Sequence, residues 1–238
     1  MAMDKKNKTI TFRYKFIFSE GTEKEFFVKL DKNSLDLIKT KKDPPPRWTE
    51  LKSFRCKHCP LDGKQHTHCP VAVNLADLVE FFRDSISYNE VYLLIESEDR
   101  NYSKLTTLQQ GISSLAGIYM VTSGCPIMEK LKPMVRFHLP FATIEETEYR
   151  AISMYLLAQY LLHRKGISPD WEMKTLVKIY DDVKIVNRNF CQKLSEIHIQ
   201  DAIINALAKL DLFAENVNLM LIKNKLDEIE LLFKPYFK

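Results

Sequence analysis

The sequence lacks the features that mark several classes of protein. It has no charge-free run of 18 apolar residues, so it predicts no membrane-spanning helix. The polar start, Met-Ala-Met-Asp-Lys-Lys-Asn-Lys, lacks the apolar segment of a signal peptide, and we therefore expect a cytoplasmic protein. Six glycines and ten prolines in 238 residues exclude a collagenous or low-complexity chain. Hydrophobic residues at 45% and charged residues at 28% are ordinary for a folded globular protein.

The motifs of the common nucleotide-binding and hydrolytic enzymes are also absent. The sequence contains neither Gly-x-Gly-x-x-Gly nor Gly-x4-Gly-Lys-Ser/Thr, which are the phosphate-binding patterns. It contains neither Gly-x-Ser-x-Gly nor His-Glu-x-x-His, which mark serine hydrolases and zinc proteases. These absences favour a protein without catalytic activity, and the sequence identifies no substrate.

Cysteine is scarce, but its distribution is uneven. The chain has five cysteines, and an odd number in a reducing compartment argues against a disulfide framework. Three of them, Cys56, Cys59 and Cys69, lie within 14 residues. A Cys-x2-Cys turn presents two thiolates to one ion, and zinc takes four sulfur or nitrogen donors. We therefore expect residues 56–69, here called the cysteine knuckle, to bind a metal ion.

Two kinds of residue are candidates for the fourth ligand. His66 and His68 lie within the knuckle, and Cys125 lies farther along the chain. Cys69 and Cys125 are each followed by proline, which suits the first position of a helix and makes each cysteine the N-cap, where a thiolate is favoured. One hypothesis is a four-sulfur site that binds zinc. An iron–sulfur cluster is the alternative, since ferredoxins also place proline after a ligating cysteine.

A second group of candidates surrounds Phe137. Arg136 and His138 flank it in a segment that we predict to be extended, so their side chains share one side and are candidates for binding an anion. A thiol-dependent or redox activity is a further alternative, with Cys125 as nucleophile and His138 as base. No acid that would orient this histidine is identifiable in the sequence.

Positive charge is concentrated in the first quarter of the chain. Residues 1–60 hold 15 Lys and Arg against 8 Asp and Glu, a net charge of +7, whereas the whole chain carries +4. Such a region can attract nucleic acid. The lysines alternate with acids, however, as in Glu23-Lys24-Glu25, which is typical of a solvated surface. Nucleic-acid binding is therefore the second alternative and not the main one.

The pattern of apolar residues predicts an α+β fold. Apolar and polar residues alternate over residues 9–17 and return after a turn at Gly21, which predicts a β-hairpin. Residues 91–96 predict one further strand, and the second half is helical, with a capping box at Thr143 and Glu146. Ser168 and Pro169 predict the start of another helix.

These elements give three segments. They are an N-terminal hairpin region with a basic linker (1–46), a cysteine-rich segment with a helix and a strand (47–103), and a helical bundle (104–238). The bundle ends in an apolar stripe that includes Ile203, Leu207 and Val217. This stripe either docks onto the bundle or binds a protein partner or a second copy of the chain. We therefore expect a metal-stabilised interaction or regulatory module.

Two groups of motifs carry a resemblance to a known family. They are Cys-x2-Cys-Pro followed by His-Cys-Pro-Val-Ala, and Ser-Gly-Cys-Pro followed by Arg-Phe-His-Leu-Pro-Phe-Ala-Thr. Over about residues 50–185 the chain resembles an uncharacterised bacterial protein family of unknown function. The resemblance implies a bacterial cytoplasmic protein and carries no activity, ligand or fold.

Overall fold

The computed structural model describes residues 8–39, 44–223 and 226–237, and it has the predicted α+β arrangement. One antiparallel sheet is formed by β1 (Thr9–Phe18), β2 (Glu23–Asp31), β3 (Glu90–Glu96) and β4 (Asn101–Thr107), in the order β2-β1-β3-β4. The hairpin prediction is confirmed, and Gly21 turns the chain at φ +87°. The basic linker that ends the first segment lies partly outside the described residues, at 40–43.

Strand β4 is the element that the sequence analysis missed. Its residues, Asn-Tyr-Ser-Lys-Leu-Thr-Thr, do not alternate between apolar and polar, and most of them are exposed or half-buried. The strand is held instead by a full antiparallel register with β3, from Glu90 opposite Thr107 to Glu96 opposite Asn101. An edge strand paired in this way needs no apolar face of its own, so periodicity does not reveal it.

Helices account for most of the remaining chain. They are α1 (Leu51–Phe54), α2 (Pro70–Phe82), α3 (Leu108–Val121), α4 (Pro133–Arg136), α5 (Ile144–His163), α6 (Lys174–Ser195), α7 (Asp201–Ile222) and α8 (Asp227–Glu230), with 3-10 turns at Arg47–Thr49, Met128–Leu131 and Leu231–Tyr236. The predicted capping box is confirmed, because Thr143 accepts from the Glu146 amide and Glu146 accepts from the Thr143 amide. None of the described helices is long and apolar enough to span a membrane.

The predicted helix start at Ser168 and Pro169 is wrong. Helix α6 begins at Lys174, five residues after the proline. The carboxylate of Asp170 accepts from the backbone amides of Thr175, at 2.7 Å, and Lys174, at 3.3 Å. Because this side chain satisfies the free amides of the first turn, the helix begins at the residues that Asp170 contacts.

The sheet and the helices share one hydrophobic core. The alternating residues of β1 point into it, and Tyr14 and Phe16 are completely buried. Helix α3 rests directly on the sheet at Gly111, where a Cβ atom would come within 2.9 Å of Phe16 and of Leu93. Helix α7 packs against α3, α5 and α6, and the C-terminal apolar stripe, with Ile203 as an example, is buried there. The stripe therefore docks onto the bundle.

Candidate functional site

The cysteine knuckle lies between α1 and α2 and is folded back by backbone hydrogen bonds. The amide of Cys59 donates to the carbonyl of Cys56 over 3.0 Å, which closes the tight turn of the Cys-x2-Cys pair. The amide of Cys69 donates to the carbonyl of Thr49 over 2.9 Å, which returns the end of the knuckle to its start. These contacts fix both ends of the 14-residue knuckle.

Two of the candidate cysteines precede helical turns. Cys69 is the N-cap of α2, with Pro70 at its first position, as predicted. The prediction for Cys125 is wrong in detail, because the helix after it is a 3-10 turn at Met128–Leu131 whose N-cap is Ile127. Cys125 still opens a helical turn, since its carbonyl accepts from the Glu129 amide at 2.9 Å. Gly124, at φ +86°, directs the chain into this turn.

The structure brings Cys56, Cys59, Cys69 and Cys125 together, and we call these residues the thiol cluster. Negative charge on Cys69, Cys125 or Cys59 raises the pKa of Cys56, after the larger effect of its burial. Negative charge on Cys125 or Cys59 also raises the pKa of Cys69, and negative charge on Cys59 raises the pKa of Cys125. These charge effects act through space over several ångströms, and they couple all six pairs of thiols, so the four cysteines lie in one region of the fold.

Burial sets the protonation state of the cluster. It raises the pKa of Cys56 to about 12 and that of Cys69 to about 11, and it also raises the pKa of Cys125. The backbone amides of Val71 and Ala72 lower the pKa of Cys69, but they close no capping hydrogen bond to it and burial outweighs them. The expectation that a helix start makes Cys69 and Cys125 thiolates is therefore wrong for the polypeptide by itself, because burial raises the pKa of both thiols.

The two candidate histidines lie in a different place. His66 and His68 line a surface depression of about 410 Å³ together with Glu50 and Arg55, and no cysteine lines it. The Nδ1 atom of His68 is 2.9 Å from the hydroxyl of Thr67. The described hydrogen bonds and the lining of this depression show no contact between either histidine and a cysteine side chain.

The cluster is a group of neighbouring thiols and not a formed coordination sphere. Over residues 8–39, 44–223 and 226–237, no group of three or more His, Cys, Asp or Glu side chains is arranged to hold a metal ion. The knuckle is fixed to the helical half by His58, whose Nε2 is 3.2 Å from the carbonyl oxygen of Asp182. The Phe54 carbonyl, just before the knuckle, accepts from the side-chain amide of Asn189 at 3.0 Å.

The predicted pairing of Arg136 with His138 is not found. The segment around Phe137 is the end of helix α4 and not an extended strand, and Arg136 is exposed, with its guanidinium 5.9 Å from the Phe137 ring centre. His138 points inward, and its Nε2 lies 2.6 Å from the Tyr14 hydroxyl. Within the described part of the chain His138 makes no hydrogen bond to Cys125, so the nucleophile–base pair is not assembled in this structure.

His138 lines a partly open cavity of about 170 Å³ among α3, α6 and α7, and the connection between the 3-10 turn at Met128–Leu131 and α5 forms another of its walls. Several further polar residues line it, and the sequence analysis missed two of them, Arg150 on α5 and Asn187 on α6. Asn187 carries a detectable signal, since it interrupts the buried apolar face of α6 between Val183 and Phe190. Arg150 has no comparable signal, and only the packing reveals its position.

The basic N-terminal region is partly neutralised where it is described. Arg13 donates to Glu25 and to Glu96, the latter at 2.7 Å, and Lys15 lies 2.7 Å from Glu23. These pairs lie across the strands of the sheet and leave less free positive charge than the composition indicates.

Comparisons with known proteins give one match. A family model described as "Domain of unknown function (DUF6901)" matches residues 12–234. No curated protein and no solved structure matches significantly. The matched range contains the thiol cluster and the residues of the cavity.

Proposed function

The chain belongs to the DUF6901 family, a domain of unknown function, and we propose that it is a cytoplasmic, metal-stabilised interaction or regulatory module without catalytic activity. Zinc is the proposed metal, and the thiol cluster supplies the proposed ligands. The observation that carries the proposal is that four cysteines from two distant parts of the sequence are electrostatically coupled in every pair. Four sulfur donors are a common ligand set of structural zinc sites.

The chemistry of the cluster supports a role for a cation. Three of its thiols are buried and the fourth, Cys59, is half-buried, so their negative charge is disfavoured without a compensating positive charge. A divalent cation reverses this preference, because a coordinating thiol loses its proton on binding. Zinc binding would then release protons and join the knuckle to the turn that follows Cys125.

The local structure explains why a metal ion that links the knuckle to the turn after Cys125 would be useful. Between Arg55 and Cys69 the knuckle has turns and bends but no helix and only an isolated bridge, at His68. A segment of this kind buries little apolar surface, so its ordering depends on a few strong contacts. Zinc held by Cys125 as well as by the knuckle would fix it to the helical half.

The same features argue against catalysis by a cysteine. A protonated, buried thiol is a poor nucleophile, and Cys125 and Cys69 are both buried with raised pKa values. His138, the candidate base, is bonded to Tyr14 instead. The experiment below distinguishes zinc binding from a redox or iron–sulfur role of the cluster.

Elemental analysis of the purified full-length chain tests the proposal. We expect one zinc per chain in the wild type, a large loss of zinc in Cys59→Ser, and no loss in Cys191→Ser. Cys191 is the matched control because it is a half-buried free cysteine whose thiol contacts the Ile204 carbonyl, at 3.7 Å, and whose pKa is not affected by the four cluster cysteines.

A second measurement uses only the wild type, so it does not depend on whether a variant folds. Zinc added to the chelator-stripped wild type should protect four of the five thiols from a thiol reagent. Iron with inorganic sulfide and visible absorbance would support the redox alternative. Equal zinc content in Cys59→Ser and Cys191→Ser, or no protected thiols, would contradict the proposal.

The partner surface is the second part of the proposal. The stripe of α7 is buried, but apolar side chains after α8 are exposed, with Leu231 at 60%, Leu232 at 69% and Tyr236 at 82%. We propose that this segment contacts a second copy of the chain or a protein partner. Sedimentation of the wild type and of Leu232→Glu tests self-association, which the charge should abolish if the segment forms the contact.

A further inference from the structure

We propose that the cavity among α3, α6 and α7 binds a small, mainly apolar monocarboxylate, whose carboxylate pairs with Arg150 and hydrogen-bonds to the side-chain amide of Asn187. This inference does not depend on the metal proposed above. It rests on the size of the cavity, on an unpartnered buried amide and on a cation without an acidic partner.

The size and the walls of the cavity limit the ligand. Its volume is about 170 Å³, and an apolar cavity of about 150 Å³ is enough to bind benzene. The walls are mostly apolar, with Ile118, Met134, Val183, Leu210 and Phe213 as examples. A ligand with one ring, or with a short branched chain, therefore fits this space.

Asn187 shows where the ligand needs a polar group. Its side chain is 1% exposed, and its Oδ1 atom has no hydrogen-bond partner. In the described ranges its amide nitrogen makes no hydrogen bond either. A buried amide without partners is destabilising, and proteins keep such groups where something else satisfies them. The side-chain amide of Asn187 can turn either its oxygen or its nitrogen towards the cavity. With the nitrogen facing inward, it can donate a hydrogen bond to a carboxylate oxygen.

Arg150 supplies the charge. Its Nη2 atom donates to the carbonyls of Met134, at 3.0 Å, and Phe137, at 2.9 Å, which fixes the guanidinium at the cavity wall. No described carboxylate lies within ion-pairing distance of it, although Arg13 elsewhere has two such partners. Glu146 acts on Arg150 only at longer range, and its carboxylate already caps α5. A half-buried cation of this kind is suited to an anionic ligand.

His138 limits the charge of that ligand. Its Nε2 is bonded to Tyr14, and burial followed by the charge of Arg150 lowers its pKa to about 3. The histidine is therefore neutral at physiological pH, and Arg150 is the cation among the residues that line the cavity. One positive charge favours a ligand with one carboxylate over a dicarboxylate or a phosphate ester.

Fluorine NMR with 4-fluorobenzoate as the probe tests the proposal on the full-length chain. We expect saturable binding that benzoate competes with and that benzamide, its neutral analogue of the same shape, does not. Arg150→Gln should weaken binding at least about tenfold, and Arg136→Gln should leave it unchanged, since Arg136 carries the same charge nearby but lies outside the cavity.

Asn187→Leu distinguishes a binding defect from a folding defect. It removes the unpartnered amide and fills part of the cavity, so we expect it to lose the probe while its melting temperature stays equal or rises. Absence of saturable binding to the wild type, equal competition by benzamide, or unchanged binding in Arg150→Gln and Asn187→Leu would each overturn the proposal. A lower melting temperature in Asn187→Leu with binding retained would show that the amide serves the fold.

Discussion

The Tyr14 hydroxyl lies 2.6 Å from Nε2 of His138, and this hydrogen bond joins strand β1 to the connection between α4 and α5. The same hydroxyl lies 2.9 Å from the hydroxyl of Ser114 on α3. Burial raises the pKa of Tyr14 and lowers that of His138 to about 3, so both partners are neutral. Sheet, helix and connection therefore meet at a buried link in which charge on the histidine is disfavoured.

This link predicts a pH dependence of stability. His138 titrates near pH 6.5 in the unfolded chain and near pH 3 in the folded one, so between these values the unfolded state binds more protons. The stabilising effect of a neutral His138 is complete above pH 6.5 and is lost as the pH falls towards 3. From pH 7 to pH 5 we expect this residue to lower the free energy of unfolding by about 2 kcal/mol.

Urea denaturation at the two pH values measures this effect. His138→Gln should remove most of the pH-dependent loss, whereas His198→Gln, at an exposed position, should keep it. Identical pH dependence in the wild type and His138→Gln would show that the histidine is accessible to protons in the folded state.

Two glycines of α3 provide a matched pair. Gly111→Ala places a Cβ atom within 2.9 Å of Phe16 and Leu93, whereas at Gly117 the nearest atom, on Leu210, is at 3.6 Å, an ordinary contact. Alanine favours a helix over glycine by about 1 kcal/mol. We expect Gly117→Ala to raise the free energy of unfolding by up to that amount, and Gly111→Ala to lower it by about 1–3 kcal/mol because of overpacking.

Urea unfolding of both variants tests this contrast. A stabilised Gly111→Ala would mean that α3 can move away from the sheet at little cost, and the close contact at Gly111 would then have no structural importance.

Chelation provides the third prediction. A metal that binds only the folded chain stabilises it by an amount that grows with its free concentration, about 4 kcal/mol at a thousand times the dissociation constant. A chelator should therefore lower the melting temperature of the wild type and of Cys191→Ser by the same amount. Cys59→Ser should melt lower from the start and respond little to the chelator. Equal responses in all three proteins would exclude the cluster as the source of the effect.

Local patterns predicted the local structure well. The alternation in β1, the capping box at Thr143, and proline after Cys69 each depend on neighbours in sequence, and each is found. Strand β4 and the start of α6 were not predicted, because one depends on pairing with β3 and the other on the side chain of Asp170. Both features depend on contacts between particular residues, and composition and periodicity do not reveal such contacts.

The candidate site was likewise predictable where its residues are close in sequence and not where they come together through packing. The knuckle cysteines are close in sequence, and their grouping was predictable from the Cys-x2-Cys spacing and from Cys69 a few residues later. Cys125 was one of three options for the fourth ligand that the sequence left open, and in the structure its charge acts on Cys56 and Cys69. Arg150 and Asn187 come from different helices, so their meeting at one cavity depends on how α5 and α6 pack.

X-ray absorption at the zinc edge of the purified wild-type protein tests the central claim most directly, because it reports the atoms bound to the metal. The account predicts a single shell of four sulfur atoms at about 2.3 Å. A shell of nitrogen or oxygen atoms, or a mixed shell with imidazole, would contradict the assignment of Cys56, Cys59, Cys69 and Cys125 as the ligands.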